Sequence, residues 1–275
     1  MLMRQPTMNP RTDRARRRAL TLMGAALCAS AWALDGRADT LRVVSSGGFA
    51  PALRALAAQF ELRSGLTLVL GGGPSMGQTP DAIPHRLERG EPWDVVVMVR
   101  DALDKQARAG RIDPASEVAV ARSLVAAAVR TGAPRPDIST VEALKDTLLT
   151  ARSIAYSDSA SGVYLSEVLF ERLGVTQAIA ATAHRIAAEP VGQVVARGEV
   201  QLGFQQLSEL QAVPGIDIVG LLPPAVQQVT EYAAGVVAGS SRAAAARDFI
   251  EFLASVEAAE AIRRTGLQPT ADPLR

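Results

Sequence analysis

Two loops in the chain combine small hydroxyl residues with glycine, and each follows a short apolar run and opens an amphipathic stretch. The first is Ser45-Ser46-Gly47-Gly48, after the run Leu41–Val44 and before a segment with Pro51 in its first turn. The second is Ser157-Asp158-Ser159-Ala160-Ser161-Gly162, between the run 153–156 and a helix-period segment that closes at Gly174. A loop at a helix start presents unpaired backbone N–H groups and the positive end of the helix dipole. Small side chains let an anion come close to those donors. A cap alone needs one serine, whereas Ser157, Ser159 and Ser161 fall within five residues. Ser45, Ser46, Gly47, Ser157, Ser159, Ala160, Ser161 and Gly162 are therefore the first ligand candidates, and a small anion held between two halves is the expected cargo.

Further candidates flank these loops. Gly71-Gly72-Gly73-Pro74-Ser75-Met76-Gly77 is a flexible stretch whose backbone can approach a ligand, with Ser75, Met76, Gly77 and Thr79 as contributors. Gln205 and Gln206 close the apolar run Val200–Phe204, and amides suit carboxylate or hydroxyl groups. Tyr164 falls in the first turn after the second loop. A multiply charged anion calls for a cation, and Arg86 and Arg100 stand near these segments with the planar fork that fits a carboxylate. His85 is one of two histidines and adjoins the Gly/Pro stretch, which makes it the candidate general base. Asp158 and Tyr232 are the other candidates for that role, and His184 is assigned none.

Several chemistries find no support. Two isolated histidines and a single cysteine, Cys28, give no metal-ligand cluster. No phosphate-binding glycine motif follows a strand, and no nucleophile-elbow pattern occurs, so no cofactor is expected. The formal charge of +1 misleads, because the first 38 residues carry seven Arg and two Asp; residues 39–275 stand at −4. Such a balance leaves no basic footprint for nucleic acid. Residues 1–38 read as a secretory signal, with Arg14, Arg16, Arg17 and Arg18 before the apolar run Ala19–Ala33, which is too short to span a bilayer. Cleavage between Leu34 and Asp39 and a periplasmic location are expected.

The elements that must position these residues alternate along the chain. Helical spacing covers Pro51–Arg63, Asp101–Ala109, Thr140–Leu149 and Val191–Arg197, while Leu66–Leu70, Ser123–Val129, Ile216–Val219 and Val229–Val237 read as strands. Asp94–Val99 is continuously apolar, as a strand buried on both faces of a parallel sheet would be. Ser139 and Glu142 have capping-box spacing before the helix at 140. The expected fold is α/β, with two doubly wound lobes joined by two crossing strands near 123–129 and 229–237. Lobe 1 would comprise 39–122 plus 236–275, lobe 2 123–235, with the ligand cleft between them.

The combination of a secretory signal, VVSSGG, the Ser/Gly stretch before ERGEPWDVVVM, YSDSASGVYLSEVLFERLG and ARGEVQLGFQQ resembles the type 2 periplasmic solute-binding proteins, in the molybdate-binding-protein-like group. The resemblance covers residues 39–275 and implies two α/β lobes around a cleft. It implies that Ser45, Ser46 and Ser159 to Gly162 hold an anion. Oxyanion receptors of the group carry a second serine cluster near the position of Thr79 and often a tyrosine after the strand at 200–204; this chain has a longer Pro-containing stretch at 74–84 and Gln205-Gln206 instead. The GPSMG, SDSASG and GFQQ stretches are similar to those of secreted enzymes on this fold that interconvert cis- and trans-aconitate by a cofactor-free allylic proton shift. The alternative is the receptor of an ABC importer for a molybdate-like oxyanion or an organic polycarboxylate, with the importer's membrane subunits as partners. Either would act as a monomer.

Overall fold

A computed structural model describes residues 40–187 and 189–271. The expected signal, Cys28 and the cleavage region lie outside the described residues. The first half of the chain runs β1 (Thr40–Ser45), α1 (Ala50–Ser64), β2 (Thr67–Gly72), α2 (Ile83–Glu88), β3 (Val95–Val99), α3 (Arg100–Arg108) and β4 (Val118–Arg130). It continues through α4 (Val141–Thr150), β5 (Ile154–Ser157), α5 (Ala160–Tyr164), a π-helical turn (Leu165–Leu169), α6 (Phe170–Arg172), β6 (Ala183–Ile186), α7 (Val191–Ala196), β7 (Leu202–Gln206) and α8 (Leu207–Gln211). The chain closes with β8 (Ile216–Leu221), β9 (Val229–Val236), α9 (Ala243–Leu253), α10 (Val256–Arg264) and β10 (Gln268–Pro269).

One curled sheet threads these elements in the order β2-β1-β3-β9-β4-β7-β5-β6. β1 is parallel to β2 and β3, and β5 is parallel to β6 and β7, as strand–helix–strand units require. The joint is antiparallel: β9 lies between β3 and β4, with Tyr232 opposite Val99 on one side and Ala121 on the other. β3 explains the continuous apolar run. Val95, Val97 and Val99 enter one core with Leu53, Phe60 and Phe249, while Val96 and Met98 enter another with Ile83 and Leu103. A second pair of cores forms around Val125, Leu144, Leu165 and Phe204, and around Ala155, Val191 and Val195. The α/β architecture expected from the sequence is the one observed.

Local differences have physical causes. β4 has 13 residues and starts before Ser123, because Arg122 and Ser123 sit in a strand that pairs first with β9 and then with β7 and β8. β6 and α8 escape the periodicity: β6 is a half-exposed edge strand around His184, and α8 is a single turn. The helix at 140 is capped by Thr140, whose hydroxyl accepts from the Ala143 N–H at 3.1 Å, and not by Ser139. The π-helical turn follows Gly162, whose carbonyl accepts from the Ser166 hydroxyl at 2.9 Å, a side-chain bond that competes with the helix ladder.

Phe60 meets Phe249 edge-on at 4.7 Å and Phe252 at 5.4 Å, deep in the first core. Phe60→Ala should lower the unfolding free energy by about 3–5 kcal/mol, read from a denaturant titration with unchanged slope.

Candidate functional site

Gln205 and Gln206 are the last residues of β7, and α8 begins directly after them. That short helix turns back onto the first hydroxyl loop. The Ser208 hydroxyl donates to the Gly48 carbonyl at 2.7 Å across a buried gap. One residue on, the Glu209 carboxylate lies against Gly47, where any β-carbon would overlap it. Tyr232, on β9, brings its hydroxyl against Gly48 in the same way. Glycine is required at both positions because two functional groups occupy the space a side chain would fill.

Glu209 is half-buried. The residue keeps a part of its surface, while its carboxylate packs against Gly47. Loss of hydration pushes its pKa from 4.5 up to about 7, against a smaller opposing effect from a hydrogen bond with the Gln205 side chain. Tyr232 is 2% exposed, and burial first, then the Glu209 charge, hold its phenol well above 10. Glu209 therefore changes charge near neutral pH, whereas Tyr232 stays protonated.

Several sequence candidates share one property. The buried hydroxyls of Ser46 and Thr79 and the amide oxygens of Gln205 and Gln206 have no hydrogen-bond partner within the protein. Buried polar atoms are nearly always satisfied, so each of these is a group that a ligand or a water would bond. The Gln206 amide nitrogen donates to the Thr230 hydroxyl at 2.8 Å, and Thr230 stands opposite Ser123, another buried hydroxyl without a partner. An amide can turn over, with Thr230 donating, to offer its NH2 to a ligand. Ser45 is fully buried and donates to the Ser46 carbonyl at 3.0 Å.

The second hydroxyl loop is built differently. Ser157 and Ser161 face each other at 3.3 Å between hydroxyls, and Gly162 packs directly on the Ser157 carbonyl. Ser159 is the N-cap residue of α5 but makes no side-chain capping bond, so capping does not account for its hydroxyl. Ala160 packs against the first core. The Gly/Pro stretch reaches this loop: Gly77 lies beside the Asp158 carboxylate, and Met76, Ala160, Val163 and Tyr164 line a cavity of about 310 Å³ together with Arg100 and Thr230. That volume is at the small end of ligand sites. Ser75 anchors the stretch, its hydroxyl accepting from the Val99 N–H at 3.0 Å.

Other candidates are held elsewhere. His85 pairs with Glu88 at 3.2 Å with 37% of its side chain exposed. Arg86 bonds Glu91 at 2.7 Å and the Gly72 carbonyl at 2.6 Å and stacks 4.7 Å over Trp93, which makes it a strut between α2 and β2. Arg100 lines the cavity but faces Glu231 at 3.1 Å and Glu117 at 3.6 Å. The Tyr164 hydroxyl donates to the Val226 carbonyl at 2.8 Å. Among the described residues, no group of three His, Cys, Asp or Glu is arranged to hold a metal ion. Glu209 and Ser208 are absent from the sequence reading; the available signal was a lone acid one turn beyond the apolar strand GFQQ.

Comparison with known proteins bears on this arrangement. Residues 41–268 match the sequence profile of the bacterial extracellular solute-binding proteins. An aconitate isomerase from a Pseudomonas species is 52% identical over 248 residues, which is 90% of this chain and 95% of that protein. The periplasmic molybdate-binding protein of Azotobacter vinelandii superposes with a TM-score of 0.65 at 21% identity, over 82% of this chain and 98% of that one. The sulfate-binding protein of Mycobacterium tuberculosis does so with a TM-score of 0.66 at 20% identity, over 84% and 87%. These structural likenesses establish the fold.

The raised Glu209 pKa has a consequence for stability. Between about 4.5 and about 7 the folded chain binds a proton that the unfolded chain has released, so stability falls as pH rises through that window. Below it both states are protonated and the penalty is absent. Glu209→Gln should therefore match the parent at acid pH and exceed it above neutrality, by up to about 3 kcal/mol, measured by urea unfolding across the pH range.

Proposed function

This chain belongs to the bacterial extracellular solute-binding proteins, and we propose that it is a periplasmic isomerase that interconverts cis- and trans-aconitate by an allylic proton shift. The observation that carries this reading is the Glu209 carboxyl. It lies against Gly47 of the first hydroxyl loop and is bonded by the Gln205 side chain, with a pKa of about 7. A receptor for a small anion needs only donors. An anionic carboxyl packed on the ligand loop of such a receptor would repel its cargo above neutral pH. A proton-shift enzyme needs that group, and a base is most effective with a pKa near the working pH. The aconitate isomerase relative, 52% identical over most of both chains, supports the same reading.

The chemistry follows from the site. The substrate's carboxylates lie on the donors of the two loops, Ser45, Ser46 and Gly47 on one side and Ser157, Ser159, Ala160, Ser161 and Gly162 on the other. Ser75, Met76, Gly77 and Thr79 close over them, and Gln205 and Gln206 line the floor. Glu209, not His85, takes a proton from the methylene carbon. The electron pair spreads over the three-carbon system and its carboxylates, where neutral donors stabilise it. Protonation at the far carbon moves the double bond, and the geometry in which the new bond forms sets cis or trans.

Proton NMR of trans-aconitate in deuterated buffer tests this directly. The protein should generate cis-aconitate with deuterium at the methylene carbon. Glu209→Gln should slow this by at least about 100-fold, and His85→Ala should leave it unchanged. An unchanged spectrum alongside a thermal shift on trans-aconitate would make the protein a receptor for an importer instead.

A further inference from the structure

We infer that Tyr232 is the acid that protonates the far end of the allyl system, opposite the carbon from which Glu209 takes its proton. This inference rests on the aconitate reading above. Its basis is geometric. Gly47 and Gly48 are adjacent, and the Glu209 carboxylate occupies the space beside the first while the Tyr232 hydroxyl occupies the space beside the second. Adjacent α-carbons are about 3.8 Å apart, so the two groups pack against consecutive residues of one loop, the loop that carries the first ligand candidates. Different elements bring them there, α8 for Glu209 and β9 for Tyr232.

The tyrosine is also held firmly. Its ring lies in the first core, 6.3 Å from the Phe49 ring, and its backbone is paired on both sides, with Val99 and with Ala121. Burial keeps the phenol protonated, which suits an acid and excludes the role of base that a lone tyrosine could otherwise fill. Gly48 carries the Ser208 bond on its carbonyl, which fixes the loop against the phenol.

The step balances without any further reagent. Glu209 forms an O–H bond as the methylene C–H bond breaks. The electron pair moves through the allyl system, and the Tyr232 O–H bond breaks as its proton forms a new C–H bond at the former vinylic carbon. Glu209 is then a neutral acid and Tyr232 a phenolate. A proton passes from the carboxyl, the stronger acid, to the phenolate, and both groups are restored.

Two readouts separate this role from a structural one. Tyr232→Phe keeps the ring and removes the proton. It should lower isomerisation by at least about 100-fold while deuterium still enters the methylene carbon of unreacted trans-aconitate at a rate within a few-fold of the parent, since Glu209 is intact. Glu209→Gln should lose both. If Tyr232→Phe does not fold, as a thermal melt would report, Gly48→Ala forces the phenol oxygen aside and should give the same split. Isomerisation retained in these variants, or exchange lost in step with isomerisation, would overturn the assignment of Tyr232. If the unaltered protein neither exchanges nor isomerises, the aconitate reading itself fails.

Discussion

The desolvation of one carboxyl organises this site. Glu209 is carried on a single turn of helix, and that turn is pinned to the opposite loop by the Ser208–Gly48 hydrogen bond. The pinning presses the carboxylate onto Gly47 and strips enough water from it to bring its pKa near neutrality. Every other feature is consistent with that placement. The two glycines exist to make room, β9 brings a tyrosine that stays protonated, and β7 ends in two amides whose oxygens lack partners. The arrangement lowers stability at neutral pH, as functional carboxyls in apolar surroundings do.

In the proposed site, neutral donors would do the work that cations do in many carboxylate sites. The two candidate arginines, Arg86 and Arg100, are engaged by Glu91 and by Glu117 and Glu231 respectively. Residues 39–275 carry a net negative charge, so attraction of an anion depends on local groups. Hydroxyls, backbone N–H groups and amides can hold several carboxylates without fixing a strong positive field beside the base. A cation next to Glu209 would pull its pKa back towards 4.5 and remove the property on which the proposed role of base rests.

Much of this was legible in the amino-acid order. DVVVMV declared a strand buried on both faces, and the hydroxyl loops stood at strand-to-helix junctions where the structure places them. Ser46, Thr79, Gln205 and Gln206 were singled out from their residue types, and all four carry unpartnered buried atoms. What periodicity could not convey was proximity between distant segments. Ser208 and Gly48 are 160 positions apart, and Glu209, one residue on, meets Gly47 in the same packing. His85 and Arg86 adjoin the Gly/Pro stretch in sequence, yet the turn of α2 aims them at Glu88, Glu91 and Trp93. Tyr232 was a candidate base from its residue type, and its burial, which holds the phenol protonated, is not revealed by the strand pattern VTEYAAGV.

The account depends most on the ionisation of Glu209. Its side-chain carboxyl can be followed by carbon NMR in protein labelled at glutamate and assigned by comparison with Glu209→Gln. A titration midpoint near 7 in the free protein, set apart from the other glutamates, is the result the account predicts. A midpoint in the ordinary glutamate range, near 4.5, would mean that the carboxyl is hydrated like a surface group, and the base would have to be sought elsewhere in the cleft.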